Sequence, residues 1–286
     1  MSSTAPSPVP TTGTPAAPTG SLVGRLLLRG MLAGLIAGLF AFGVAYVAGE
    51  PSVNASIAVE EAAAKAEHAQ AHSHGSGHGQ AAEPAEEEEI VSRDLQSTAG
   101  LATGVLVYGV ALGGIAALVF CFVLGRIGRF GAKATAALVA AGAFATVYFV
   151  PFLKYPATPP AVGNPDTIGQ RTTLFFLMIL LSVLLGAAAV VAGRRLAPRL
   201  GNWNATVVAG AGFVVAVAVA CLVLPGNEDA VQASFPAAVL WEFRLATLGI
   251  QAGLWVVFGL AFGLLAERLL APRPAPVPAA SPAPAA

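Results

Sequence analysis

The sequence predicts an all-α, polytopic membrane protein, and its composition, its long apolar segments and the placement of its charges support this prediction. Of 286 residues, 56% are apolar and only 10% are charged, whereas a soluble domain has about 45–50% apolar and about 25% charged residues. So few charges cannot cover a water-soluble globule, which excludes a soluble enzyme domain. The formal net charge is +0, so no basic field would attract nucleic acid.

Six segments are long and apolar enough to cross a bilayer, whose hydrocarbon core is about 30 Å thick and needs about 20 helical residues. Helices are expected because the bilayer offers no water to exposed backbone groups. The predicted spans are 26–48, 99–124, 134–153, 173–192, 205–224 and 246–266.

The basic residues predict the orientation of these spans. Ten of the fifteen Lys and Arg residues fall in short segments on one side of the predicted membrane, and of the fifteen acidic residues only Glu267 does. By the positive-inside rule this side is cytoplasmic. The ten are Arg25, Arg29, Arg126, Arg129, Lys133, Arg194, Arg195, Arg199, Arg268 and Arg273. We therefore expect a multi-pass inner-membrane protein with both termini in the cytoplasm and the bilayer as its main surroundings.

This pattern divides the chain into three regions. Residues 1–24 and 271–286 are rich in Pro, Ala, Ser and Thr and are predicted to be disordered cytoplasmic tails. Residues 25–270 form the six-helix transmembrane domain, with a His/Glu-rich outer loop at 52–92. The first span is longer than the 7–15 apolar residues of a signal peptide, so we expect it to be retained.

The spans pair into three hairpins of one orientation, which suggests a threefold repeat. The odd spans end outside at a proline, and the even spans begin outside with an arginine. These residues are Pro51, Pro151 and Pro225, and Arg93, Arg171 and Arg244. Carriers are often built from such repeats, but helix ends at any membrane interface favour the same residues, so both explanations stay open.

Glycines at four-residue spacing predict close helix packing, because helices without Cβ atoms at the contact can approach each other. They are Gly30, Gly34 and Gly38, and the pairs Gly100/Gly104, Gly109/Gly113, Gly249/Gly253 and Gly259/Gly263.

The first outer loop carries the residues best suited to metal binding. If the alanine-rich segment 60–72 is helical, His68 and His72 lie one turn apart, beside Glu67. His74 and His78 follow in a Gly/Ser stretch and could reach the same ion. Imidazole suits cobalt, nickel, copper and zinc, and carboxylates accept harder divalent ions. The pattern predicts an exposed site that captures metal with little selectivity; the alternative is a solvated acidic loop.

Charged residues at the outer helix ends predict an ion-paired cluster at the entrance of a path. They are Lys154, Asp166, Arg171, Glu242 and Arg244. Polar or polarisable residues within the spans are candidates for lining that path. These are Tyr46, Thr103, Tyr108, Thr146, Tyr148, Met178 and Gln251. The sequence has no phosphate-binding loop, His-Glu-x-x-His motif or Gly-x-Ser-x-Gly elbow, so we expect neither an enzyme nor a bound cofactor.

Six segments together resemble the CbtA family of predicted bacterial cobalt transporter subunits. They are 28–34, 46–51, 93–98, 151–163, 166–171 and 241–246. The run Lys-Tyr-Pro-x-x-Pro-Pro-Ala-Val-Gly at 154–163 is specific, and the similarity extends over about residues 26–270. The resemblance implies cobalt uptake for cobalamin synthesis and a small single-span partner, CbtB, with its own histidine motif. Members of the family are often described with five spans, whereas the charges here favour six.

We therefore expect a permease subunit that takes up a divalent transition metal, with Co²⁺ as the first candidate and Ni²⁺ or Zn²⁺ as alternatives. The ion would be cargo and not a cofactor. A homo-oligomer is compatible with this role. The alternatives are a non-transporting metal sensor or scaffold that presents the histidine loop to a partner, and a carrier for a non-metal solute.

Overall fold

The computed structural model describes residues 21–73, 92–160, 162–163, 165–227, 231 and 235–271, and all regular secondary structure in these ranges is helical. The α-helices are α1 (Leu22–Val44), α2 (Glu50–Ser73), α3 (Arg93–Leu95), α4 (Leu101–Val123), α5 (Ala132–Ala143), α6 (Val150–Lys154), α7 (Ile168–Val223) and α8 (Ala237–Leu270). A 3₁₀ turn at Pro165–Thr167 precedes α7. Most of the two predicted tails lies outside the described residues. Helix α1 begins at Leu22, capped by Ser21, which is earlier than the predicted start of the membrane domain at residue 25, and Ala271 follows the end of α8.

Helices α1 and α2 form one continuous rod, because a π-helical turn at Ala45–Gly49 joins them. The first span was predicted to end near Pro51, but the helix continues past this residue. The first part of the predicted outer loop is therefore helical up to Ser73. In the π turn the Glu50 amide donates to the Ala45 carbonyl, five residues earlier. This wider turn relieves the crowding that a proline imposes on the turn before it.

The third rod uses the same device. A π-helical turn at Phe144–Phe149 joins α5 to α6, and the Val150 amide donates to the Ala145 carbonyl. Pro151 follows directly, as Pro51 follows Glu50. A further π turn at Gln96–Gly100 leads into α4. The two proline-linked turns therefore place an extra residue in the helix at matching positions.

Within the described ranges, five helical rods are long and apolar enough to cross a membrane, which confirms the prediction of an all-helical protein with several possible spans. They are Leu22–Ala66, Arg93–Val123, Ala132–Lys154, Ile168–Val223 and Ala237–Leu270. The fourth rod, α7, is interrupted at Gly201, whose φ of 76° and ψ of 161° are not helical. Glycine adopts this positive φ at little steric cost.

Helix α1 packs against both α4 and α8, and α8 also packs against α5. Helices α4 and α8 meet at the rings of Phe120 and Phe262. Helix α7 packs at the edge of this group, against α6 and the Phe144–Phe149 turn. Glycines bring α1 and α4 together, as the four-residue spacing predicted. A Cβ added to Gly109 would lie 2.6 Å from the carbonyl oxygen of Gly34, and one added to Gly113 would overlap the carbonyl of Gly30. The predicted glycine contact is confirmed for these residues, whereas a Cβ on Gly104 or Gly249 would meet nothing within 4 Å.

Candidate functional site

The predicted metal-binding residues lie partly outside the described part of the chain. The backbone of α2 includes positions 67, 68 and 72, which confirms the helix predicted for 60–72 and places His68 and His72 one turn apart. Their side chains and that of Glu67, and all of His74 and His78, lie outside the described residues. Among the residues described, no group of three or more His, Cys, Asp or Glu side chains could hold a metal ion. The histidine site therefore stays a prediction.

The first turns of α2 are anchored in the structure. Ser56 is buried and its hydroxyl donates a 2.7 Å hydrogen bond to the carbonyl oxygen of Pro160. Arg93 bonds the carboxylate of Glu50 and also donates to the side-chain oxygen of Asn54 at 3.1 Å. These bonds tie α2 both to the segment that follows α6 and to the start of the second rod. These bonds could not be predicted from the sequence, because the partners are far apart in the chain.

Three of the predicted entrance residues approach the segment 155–163. The ammonium of Lys154 lies 5.8 Å from the ring centre of Tyr155. Arg244 Nε donates to the carbonyl oxygen of Ala157 at 3.3 Å, and the Arg171 guanidinium packs so close to Gly163 that a Cβ there would lie 2.7 Å from one of its nitrogens. We call this region, where α6 ends and α7 and α8 begin, the Lys154 end of the bundle.

The two predicted acidic residues of this cluster lie near the starts of α7 and α8. Asp166 lies in the 3₁₀ turn before α7 and is exposed. Glu242 is also exposed, and no salt bridge within the described ranges joins it to Lys154 or Arg244. The carbonyl of Ala157 contacts Arg244, and the ring of Tyr155 contacts Lys154. The basic residues lie along the same segment, and their pairing with the two acidic residues stays a prediction.

A cavity of about 390 Å³ opens at the Lys154 end. The residues around it include Tyr148, Tyr155, Arg171, Thr172 and Asn227. Tyr155 is buried, and its hydroxyl donates a 2.9 Å hydrogen bond to the carbonyl oxygen of Pro225. Burial raises the pKa of the Tyr155 phenol, and the nearby Cys221 raises it further, so the hydroxyl stays protonated and remains a donor. This bond holds the segment after α6 against the end of α7.

Tyr148 lies beside a second group of polar side chains, on α4 and α8, in which Tyr148, Thr247 and Gln251 are half-buried and Tyr108 is 41% exposed. Thr247, Gln251 and Trp255 follow one another at four-residue spacing on α8, so they form one stripe along the helix. The phenol of Tyr148 lies near Thr247, whose hydroxyl donates a 3.0 Å hydrogen bond to the carbonyl oxygen of Arg244. The phenol of Tyr108, on α4, lies near Gln251 and near Tyr148. We call Tyr108, Tyr148, Thr247, Gln251 and Trp255 the polar cluster.

Three buried atoms of the polar cluster have no hydrogen-bond partner among the described residues. They are the hydroxyl oxygen of Tyr148, the side-chain oxygen of Gln251 and the indole nitrogen of Trp255. Most buried polar groups in folded proteins are hydrogen-bonded, so the two oxygens on Tyr148 and Gln251 and the indole nitrogen one turn further along α8 are unusual. The arrangement can offer hydrogen-bonding capacity to a polar species that enters from the cavity.

Tyr108, Tyr148 and Gln251, which were predicted to line the path, lie near one another in the structure. Thr247 and Trp255 were not predicted, although their four-residue spacing from Gln251 was a usable signal. The other candidates lie elsewhere. Tyr46 and Thr103 are exposed, Thr146 bonds its own helix, and Met178 is fully buried in a separate apolar group with Leu174.

The opposite half of the bundle is closed by aromatic packing. Phe120, Phe258 and Phe262 are at most 2% exposed, and the ring of Phe262 lies 5.0 Å from that of Phe120 and 5.4 Å from that of Phe258. Beyond them, Lys133 forms a salt bridge with Glu267, and Arg29 donates a 2.7 Å hydrogen bond to the carbonyl oxygen of Leu265. We call this the Lys133 end. The bundle is thus polar toward the Lys154 end and sealed toward the Lys133 end.

Comparison with known proteins identifies one family. The model of the CbtA family, described as a probable cobalt transporter subunit, matches residues 23–267. Neither the curated proteins nor the solved structures contain a match. The family match includes every described helix that could span a membrane, apart from the ends of the first and last. Because the match extends over nearly the whole chain, this protein belongs to the CbtA family of probable cobalt transporter subunits and is a multi-pass membrane protein.

Proposed function

We propose that this chain is a permease subunit that imports a divalent transition-metal ion, Co²⁺ in the first place, without carrying out covalent chemistry. The observation that carries the proposal is that Tyr148 lines the cavity at the Lys154 end and also lies beside Thr247 of the polar cluster. Transport paths commonly combine a polar binding region at the repeat interface with a closed side. The aromatic contacts at the Lys133 end are a suitable closed side.

We further propose six membrane crossings, with both termini in the cytoplasm. A straight helix as long as α7, with 56 residues, would extend roughly 84 Å at 1.5 Å per residue, far more than the bilayer core of about 30 Å. The break at Gly201 divides α7 into two segments of suitable length, and Arg194, Arg195 and Arg199 lie directly before it. The positive-inside rule then favours a cytoplasmic position for this connection.

The histidines of the first outer loop would collect the ion before it enters. Glu67, His68, His72, His74 and His78 supply suitable ligands. The Ser56–Pro160 bond fixes the base of α2 beside the segment that borders the cavity, and His68 follows Ser56 by roughly 18 Å of helix. A site at this distance can raise the local ion concentration without forming part of the narrow path.

A partner subunit is part of the proposal. The family is described as a transporter subunit, and the resemblance implies a small single-span protein with a histidine motif. A homo-oligomer is the alternative assembly. The driving force for uptake depends on the partner subunit, so the test of function includes the partner.

Uptake into reconstituted vesicles tests this function. We expect labelled Co²⁺ to accumulate only in vesicles that contain the chain, with the partner present, and Ni²⁺ and Zn²⁺ to compete. Co²⁺ binding by the loop without any uptake would instead show a sensor or scaffold. If a strain lacking the protein keeps its normal content of all three metals, the cargo is a non-metal solute.

A further inference from the structure

The polar cluster contains buried oxygen atoms for which the proposed import function does not yet name a ligand. Its facing side chains, Tyr108, Tyr148, Thr247 and Gln251, are all neutral and all present oxygen atoms. Two of these oxygens, on Tyr148 and Gln251, are buried and lack a partner among the described residues. Leaving such acceptors buried and unpaired is costly, which points to a polar species that completes them.

We propose that Tyr108, Tyr148, Thr247 and Gln251 form an intramembrane site that receives the transported divalent cation with its water shell. This inference rests on the proposed import function. Water bound to a divalent cation is a strong hydrogen-bond donor, because the metal draws electrons from it, and the four side chains offer acceptor oxygens. Neutral oxygens alone cannot replace the full hydration shell of a transition-metal ion. The ion therefore keeps its water and remains weakly held.

Weak binding suits a path. An ion must bind well enough to enter and loosely enough to leave, and a site with imidazoles and carboxylates would retain Co²⁺ or Ni²⁺ strongly. The capture and path sites would thus differ in chemistry: nitrogen and carboxylate ligands outside, neutral oxygens inside. Selection among metals at this second site would depend on hydrated size and charge.

Trp255 sets the inner limit of the site. Its indole nitrogen is a donor only and has no partner within the described ranges, so its positive hydrogen repels a cation while it can donate to a water oxygen. The Trp255 ring meets Phe258 edge to face at 5.9 Å, and Phe258 stacks on Phe262. The hydrated ion therefore halts above Trp255 until the aromatic contacts separate.

The π-helical turn at Phe144–Phe149 explains how Tyr148 reaches this site. One extra residue in a helical turn rotates the later residues by about 100° relative to a regular α-helix, and π turns occur often at functional sites. Here the turn places Tyr148 both against Thr247 and on the cavity wall. The same residue then borders the wide cavity and the narrow site.

Trp255 also provides a direct test of binding. Trp203 and Trp241 are exposed, so a Trp203→Phe/Trp241→Phe protein keeps Trp255 as its single tryptophan. We expect Co²⁺, which is paramagnetic, to quench its fluorescence in a saturable way, and Gln251→Leu to weaken this effect by about tenfold in Co²⁺ concentration. Absence of saturable quenching in the folded protein would overturn the site.

Uptake by reconstituted vesicles gives the second readout. Gln251→Leu and the Tyr108→Phe/Tyr148→Phe pair should lower the maximal Co²⁺ rate about tenfold or more, whereas Gln251→Glu should keep transport and lower the half-saturation concentration. Tyr46→Phe is the matched control, because Tyr46 is 50% exposed and its ring contacts Phe42. The Tyr108→Phe/Tyr148→Phe variant keeps both aromatic rings, so it tests the site if the Gln251→Leu variant fails to fold.

The outcomes separate this inference from the proposed function. If the wild-type protein imports Co²⁺ and the Gln251→Leu and Tyr108→Phe/Tyr148→Phe variants are fully active, the site is overturned and the import function stands. Saturable quenching of Trp255 in a protein that never transports would support the site and overturn import.

Discussion

The hydroxyl of Ser56 donates a 2.7 Å hydrogen bond to the carbonyl oxygen of Pro160, and this contact joins the base of the histidine-bearing helix to the segment beside the cavity. Ser56 is fully buried. A buried hydroxyl with one strong acceptor contributes to stability mainly because its loss would leave the acceptor unpaired. The bond therefore couples the outer helix α2 mechanically to the proposed entrance.

Replacing Ser56 by Ala should destabilise the protein by about 1 kcal/mol, which corresponds to a lower melting temperature by about 2–4 °C. Thermal unfolding in detergent measures this. Ser97→Ala is the control, because the hydroxyl of Ser97 makes an exposed hydrogen bond to the carbonyl of Asp94 in its own turn. Equal melting temperatures for the two variants would show that the Ser56 bond does not hold α2.

Replacing Gly34 by Ala should disturb the contact between α1 and α4. A Cβ at Gly34 would overlap the carbonyl of Gly109, and overpacking of this kind costs about 1–3 kcal/mol. Gly104→Ala is the matched control, since a Cβ there meets nothing within 4 Å and alanine favours the helix. We expect a lower melting temperature for the first variant only. A fall in both would mean that the effect is not specific to the α1–α4 contact.

Local composition was sufficient to predict much of the helical architecture. Runs of apolar residues mark the rods, and the four-residue spacing of Gly30, Gly34, Gly109 and Gly113 marks the contact between α1 and α4. Both signals arise from neighbours in the chain. Tyr108, Tyr148 and Gln251 could also be named, because polar side chains inside apolar segments are conspicuous.

Hydropathy could not predict the remaining features of the fold, because they depend on backbone geometry and on contacts between residues far apart in the chain. A proline at position 51 normally ends a helix, and only the π turn before it, which depends on backbone geometry, lets α2 continue. The bond between Arg93 and Glu50 joins residues on different rods. The sequence showed both residues at helix ends but not that they meet.

Cysteine labelling tests the six-span arrangement. In a protein with Cys121 and Cys221 replaced, single cysteines at Asn202 and Asn227 should react from opposite sides of the membrane. The first lies directly after the Gly201 break, and the second lies beyond the end of α7. We expect Asn202 to react only from the cytoplasm and Asn227 only from outside. If both positions react from the same side, residues 202–223 do not cross the membrane.

Removing the histidines of the first outer loop should weaken capture and leave the maximal rate nearly intact. An unperturbed imidazole has a pKa of about 6.5 and binds metal only when neutral, so uptake at scarce Co²⁺ should fall as the external pH drops through about 6. Replacing His68, His72, His74 and His78 together by alanine should raise the half-saturation concentration and abolish this pH dependence. Replacing the glutamates 86–89 by glutamine is the control, which alters the charge of the same loop without removing imidazoles. A lower maximal rate in the histidine variant would place these residues on the obligatory path, and unchanged kinetics would show that they do not collect the ion.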